Sequence, residues 1–428
     1  MVSKLNMELI INKIQSYRVW DSRGNPTIET NVILNNNIYG RSIAPSGASK
    51  GKKELLENRD SISIIENDVL NAIDIINSII DKFFSGKKIV SQKEFDENIL
   101  NLKNEFDLGS NIMVSLSMAF AHALAKYNNQ DLWEFLLNEK DFVLPLPEIQ
   151  IFGGGAHAKN TIDIQDFMII PIGSENYIES LELCSRVYKS AGNILEKLNK
   201  KTGVADEGGY WPNFDSNIEG FELLLQSIEN AGLKPMEDVA ISIDIAASEF
   251  YKNNKYHLKK DNINLSSNEF MDLILEWVNQ YPIISIEDPF DESDKITFSK
   301  LTKKIGDKVQ IVGDDLLVTN ANLIKQAKND NLCNCVLIKP NQIGTLTETF
   351  DAINQSKINK WDQIISARSG ETEDTTIMHL AVGWGIKQIK VGSFSRSERM
   401  AKWNEGIRIA NKIDKYSLHD KKSFHWNK

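Results

Sequence analysis

The chain holds 428 residues, 41% hydrophobic and 25% charged, with 49 Lys+Arg against 59 Asp+Glu for a formal charge of −10. That balance suits a folded protein long enough for two domains, or one large barrel with an appendage, and argues against a protein whose main task is gripping nucleic-acid phosphates. The opening MVSKLNMELI lacks the apolar core of a signal peptide, no stretch reaches the roughly 18 apolar residues of a membrane span, and Cys184, Cys333 and Cys335 form neither a disulfide framework nor a zinc set. A cytoplasmic protein with reduced, buried thiols and no membrane partner is expected.

In chain order, Arg18–Trp20, the alternating Thr27–Leu34 and, past an Asn35-Asn36-Asn37 turn, Ile38–Ile43 predict an antiparallel three-stranded meander. Val69, Ile73, Ile76, Ile80 and Phe83 recur at helical spacing within residues 61–84, and 111–127 predicts a second, apolar helix. Together these make a small α+β domain over residues 1–143. Two prolines at alternate positions in Leu144-Pro145-Leu146-Pro147 resist both helix and ladder, so the second domain is expected over 144–428.

There, short β-rich runs end on polar residues: Ile241–Asp244, Ile283–Glu287, Val309–Asp314, Val336–Lys339, Gln363–Ser366 and Gln388–Lys390. Helical patterns such as Phe270–Val278 and Leu346–Ile353 fill the gaps. A repeated β-then-α unit predicts a closed parallel barrel, whose strand C-termini form one mouth. One charged strand end is ordinarily a solvated cap; a series of them converging on one mouth points to chemistry.

Asp244, Glu287 and Asp314 offer hard oxygen ligands suited to Mg²⁺. Lys339 and Lys390 could serve one as base and the other as anion holder, a base lysine needing a depressed pKa. Arg368-Ser369 could grip a phosphate by a fork and a hydroxyl. Asp206-Glu207-Gly208-Gly209 supplies a candidate acid, Glu207, although a plain turn would read the same, and Gln165-Asp166 follows a strand-like Ile162–Ile164. Metal, lysine base and carboxylic acid together suit removal of a proton α to a carboxylate, with departure of a β-hydroxyl helped by the acid.

The motifs that carry these residues run as Asp21-Ser22-Arg23-Gly24-Asn25-Pro26-Thr27, Ala44 to Ser49, Asp206 to Gly209, Ser242 to Phe250, Ser285 to Asp288, Gly313 to Leu316, Ile338 to Gly344, Arg368 to Asp374 and Arg396 to Arg399. In this order they resemble the enolase family, phosphopyruvate hydratases, over essentially the entire chain. Lysine bases with Mg²⁺ are the known arrangement of that superfamily. The resemblance implies an N-terminal α+β capping domain, a modified eight-stranded (β/α) barrel, a homodimer or higher homo-oligomer, and two Mg²⁺ ions. It places the base at Lys339, the acid at Glu207 and the first metal on Asp244, Glu287 and Asp314. Anion contacts fall on Arg368, Ser369, Lys390, Gln165 and His157, and Lys390, His157 and Asp166 also join the catalytic group. The Ser46–Ser49 loop would be a lid, with Ser49 reaching the second metal.

Departures from the family pattern cluster. Ala367 stands where the motif has His, Asp166 where it has Glu, Lys50 where it has Thr, Gly153 where it has Asn, and Gly392-Ser393-Phe394 replaces Gly-Ala-Pro. Loss of an imidazole and of a methylene is expected to open space near the leaving group, and Lys50 to add a lid cation for the substrate. The resemblance thus implies dehydration of 2-phosphoglycerate to phosphoenolpyruvate, a small phosphate/carboxylate substrate of glycolysis. A paralogue resembling carboxyphosphonoenolpyruvate synthase, acting on a related compound with an extra anionic group, is the alternative. A non-catalytic binding role of the inherited fold is a third reading, against which the intact Lys339, Glu207 and metal carboxylates argue.

Overall fold

The alternation in the first strands reflects a sheet with one face buried. In the computed structural model, which describes residues 9–427 except 62–64, 66, 138–141, 159–160 and 414–415, β1 (Ile11–Trp20) pairs antiparallel with β2 (Pro26–Leu34), and β2 with β3 (Tyr39–Ile43). Ile28, Thr30, Val32 and Leu34 turn inward against α1 (Ser110–Tyr127), the predicted apolar helix, which is buried along most of its length. Gly40 allows the close approach: a Cβ there would strike the α1 backbone at Ala119. The strand predicted from Arg18 begins earlier, at Ile11. The helix expected within 61–84 starts only at Leu70 and runs to Phe84 through a wide π turn at Ile75–Ile80.

Eight strands close the barrel: β4 (Leu146–Gly153), β5 (Asp166–Ile170), β6 (Ala240–Asp244), β7 (Ile283–Glu287), β8 (Gln310–Gly313), β9 (Cys335–Ile338), β10 (Asp362–Ser366) and β11 (Gln388–Gly392), the last pairing with the first. The expectation of a wholly parallel barrel needs one correction, because β5 runs antiparallel to both β4 and β6. Among its described residues the link from β4 to β5 carries a short 3-10 turn, Gly155–Ala158, and no crossover helix, and the chain reverses as in a hairpin. Ile162–Ile164, expected as a strand, are bends, and the strand starts at Asp166. Pro147 does not interrupt the ladder either; it lies one residue inside β4, opposite Ile389, where the missing N–H is tolerated.

The N-terminal unit rests on the barrel near its mouth. Ile43 donates its N–H to Asp374 (2.9 Å), Ser22 to the Glu371 carbonyl (2.8 Å), and buried Asp96 accepts from Thr347 (3.0 Å). Cys184, Cys333 and Cys335 are free and buried, as expected. Among the described residues no helix is long and apolar enough to cross a membrane.

Candidate active site at the barrel mouth

Most of the charged site residues are delivered by strand ends. Asp244 and Glu287 are the last residues of β6 and β7 and face each other in register; Asp314 and Lys339 follow β8 and β9 directly; Ser366, last in β10, pairs with Lys390 of β11. Because β5 is reversed, its first residue, Asp166, arrives at the same level, opposite Asp244. The turn carrying Glu207 is held over the mouth by the end of β11, where Ser393 donates to the Glu207 carbonyl (2.8 Å) and Gly392, at φ 117, lies against it. A narrow polar cleft results. It brings together Ser49, Gln165, Asp166, Glu207, Asp244, Lys339, Ala367, Arg368, Ser369 and Lys390, drawn from strand ends and the lid. The His157 side chain lies outside the described residues.

Lys390 Nζ sits 3.0 Å from Asp244, 2.9 Å from Glu287 and 3.6 Å from Asp166, while Lys339 bonds Asp314. Burial opposes charge on both lysines, but the carboxylates outweigh it: Asp244 and Glu287 hold Lys390 well above the ordinary lysine value, and Asp314 raises Lys339. The depressed pKa expected of a base lysine is therefore not found while these carboxylates face the ammonium groups. Burial, then Asp244, pushes Glu287 far up.

The donor set fits a divalent cation. Glu287 Oε1 is buried with no hydrogen-bond partner among the described residues, and oxygens of Asp288, Asp314 and Asp315 lie within 4.8 Å of one another. This close cluster differs from the expected trio: it shares Asp314, whereas Asp244 and Glu287 gather around Lys390. Asp288 is already engaged, its two oxygens accepting the N–H groups of Asp314 (3.0 Å) and Asp315 (2.7 Å) and so clamping the ends of β7 and β8. Buried strand-end acids such as Asp244, Glu287 and Asp314 are hard oxygen donors of the kind that could hold a divalent cation.

The lid lies across the mouth. Ser46 and Gly370 exchange backbone bonds (2.9 and 2.8 Å), Ala48 N–H donates to Ser369 Oγ (2.7 Å), and the Ser49 carbonyl accepts from Arg368 (3.1 Å). Lys50 is a correction: its ammonium turns to Glu57 (3.1 Å), and it does not line the cleft. Glu57 is nearly buried and also takes Arg59 (2.6 Å).

Two of the departures, at Gly153 and Asp166, leave little free space. A Cβ at Gly153 would lie 2.5 Å from Ala205 Cβ and 3.3 Å from Gln150, so no room is left there. Buried Gln150 also takes up the methylene lost at Asp166, donating its amide to that carboxylate while accepting the Gly209 N–H (2.8 Å). Of these three substituted positions, Asp166 and Ala367 both border the cleft, and Ala367 presents only a methyl there.

Gln150 and Arg399 escaped the reading of the sequence. Arg399, fully buried, donates to the carbonyls of Arg368 (2.6 Å), Ser369 (2.6 Å) and Val391 (3.0 Å), tying two of the mouth's loops together. A charged residue inside the Arg396–Arg399 motif and a lone amide within apolar Ile149–Phe152 were the available signals. Compared with models of known protein families, the chain matches "Enolase, N-terminal domain" over residues 11–136 and "Enolase, C-terminal TIM barrel domain" over residues 141–427.

Proposed function

The chain belongs to the enolase family, and we propose that it is a Mg²⁺-dependent lyase that removes the proton α to the carboxylate of 2-phosphoglycerate and expels water to give phosphoenolpyruvate. The observation that carries this reading is the meeting of Lys339, Glu207 and Lys390 with three buried carboxylates at one cleft. Bound Mg²⁺ supplies positive charge against the developing enolate.

Lys339 is the base. Its contact with Asp314 keeps it protonated, so it becomes competent once the Asp314 charge is engaged elsewhere. Glu207, held on its turn by Ser393, gives a proton to the departing hydroxyl, and Gln150 keeps Asp166 at the same level. Arg368 and Ser369 hold the phosphate, while the docked 46–49 loop excludes water.

Purified protein with Mg²⁺ and 2-phosphoglycerate should produce the ultraviolet absorbance of the enol product, and the Lys339→Ala protein should not. Absence of turnover in metal-loaded wild type would sink this reading. A second reading is favoured by Ala367, which puts a methyl at the cleft where the family motif has an imidazole: a carboxyphosphonoenolpyruvate synthase-like reaction on an enolpyruvate compound with an added anionic group. Turnover of such a compound and not of 2-phosphoglycerate would select it.

A further inference from the structure

Arg368, the residue read above as holder of the substrate's anionic group, is itself held by the lid. Its guanidinium and the carboxylate of Glu54 are each 3% exposed and meet as a fork, Nη1 to Oε1 at 2.8 Å and Nη2 to Oε2 at 3.3 Å. Nη1 also donates to Asn341 Oδ1 (2.8 Å), and Nη2 to the Ser49 carbonyl (3.1 Å). A guanidinium has five N–H donors. Four of them are thus committed to the protein, leaving Nε–H without a protein acceptor among the described residues.

The pairing is built into the loop. Glu54 donates its N–H to the Gly51 carbonyl (3.0 Å), and Leu55 donates to the Gln342 carbonyl (3.0 Å) on the barrel. Gly47 lies so close to the guanidinium that a Cβ there would strike Nη2. Farther along the same segment, Lys52 reaches Glu292 (3.2 Å). The stretch from Ser46 to Leu55 therefore grips the barrel at several points, and its most buried charged contact falls on the arginine of the cleft.

We infer that Glu54 is a positioning residue that couples closure of the 46–54 segment to anion binding at Arg368. With the segment docked, the carboxylate fixes the plane of the guanidinium and confines an incoming anion to the remaining donor; with it undocked, Arg368 loses two partners at once, Glu54 and the Ser49 carbonyl. Anion binding and lid docking then strengthen each other, as linkage requires when both favour one state. The inference rests on the proposed role of Arg368, and the experiment separates the two.

Inorganic phosphate, titrated calorimetrically into the Mg²⁺-loaded full-length protein, serves as the probe. Trypsin cleavage after Lys50, Lys52 and Lys53 reports docking of the segment. Glu54→Gln should weaken phosphate at least fivefold, speed cleavage at those lysines and abolish the protection that phosphate confers, while the unfolding midpoint in Mg²⁺ verifies that the variant is folded. Glu54→Asp, which keeps the charge, should retain part of the coupling and supplies the comparison if the Gln variant folds poorly. Equal or tighter phosphate binding in a folded Glu54→Gln protein overturns the coupling, because Glu54 would then merely compete for the guanidinium. Phosphate affinity unchanged in Arg368→Lys overturns the anion role of Arg368 and the coupling with it; affinity lost there but kept in Glu54→Gln overturns the coupling alone.

Discussion

Asp166 and Asp244 stand directly opposite each other on the antiparallel pair β5 and β6. Two carboxylates at one level need a shared cation, and Lys390 supplies it, 3.0 Å from Asp244 and 3.6 Å from Asp166, with Glu287 at 2.9 Å. The lysine is thus a structural counter-charge as well as a candidate catalytic group.

Lys390→Met should for that reason destabilise the protein by about 3–5 kcal/mol, the usual cost of leaving buried charges unpaired. Added Mg²⁺ should raise the unfolding midpoint more in this variant than in wild type, since the cation would replace the lost charge. Thermal unfolding with and without Mg²⁺ checks this; equal Mg²⁺ shifts in the two proteins would speak against a shared carboxylate cluster.

Gln150→Leu removes the donor to Asp166 and the acceptor for Gly209 at once. Orphaning buried polar groups costs about 1–3 kcal/mol each. Urea unfolding should show a loss of roughly 2–6 kcal/mol by that rule, and kcat should fall further than KM rises because Asp166 and the Glu207 turn lose their common support. Glutamate at 150 accepts from Gly209 but repels Asp166, so it should restore little.

Ala367→His places a donor and bulk where the cleft now has a methyl. If the protein dehydrates 2-phosphoglycerate, kcat/KM for that substrate should rise or hold. If the cleft is shaped for a larger anionic substrate, Ala367→His should lower turnover of that compound by about tenfold or more, the scale expected when bulk fills a pocket. Steady-state kinetics on both compounds gives the ratio.

The pH dependence of stability follows from His122, which bonds Thr376 across the contact between the N-terminal unit and the barrel (2.8 Å). Burial above all, helped by His379 and Lys126 and opposed by Asp374 and Glu405, lowers it from 6.5 to about 4. The folded protein therefore holds fewer protons than the unfolded chain between those values. Its contribution is fully present above the unfolded pKa and is lost as pH falls toward the folded one, by about 2 kcal/mol at pH 5. Asp96 acts oppositely: burial raises it to about 6, so its term favours the folded state in acid and is lost as pH rises through that value. Comparing His122→Gln with wild type isolates the histidine; denaturant curves at pH 7 and 5 should show a smaller acid loss in the variant, and an identical loss would count against it.

What the residues alone determined is local. Period-2 runs closing on Asp244, Glu287, Asp314, Lys339 and Lys390 placed these groups at strand ends, and β-then-α repetition brought those ends to one mouth. Hydrophobic period reports which face of an element is buried, which suffices when every strand points the same way.

The tertiary structure decided what depends on partners distant in the chain. The reversed direction of β5 moved Asp166 to the mouth, and the turn to Glu57 took Lys50 out of it. Gln150 occupied the room that Asp166 was expected to leave, and Arg399, in the helix Ser397–Ile413, and Glu54, just past the 46–49 loop, entered the site's support. A long polar side chain chooses its partner by three-dimensional proximity and the cost of remaining buried without one. Neither quantity has a period along the sequence.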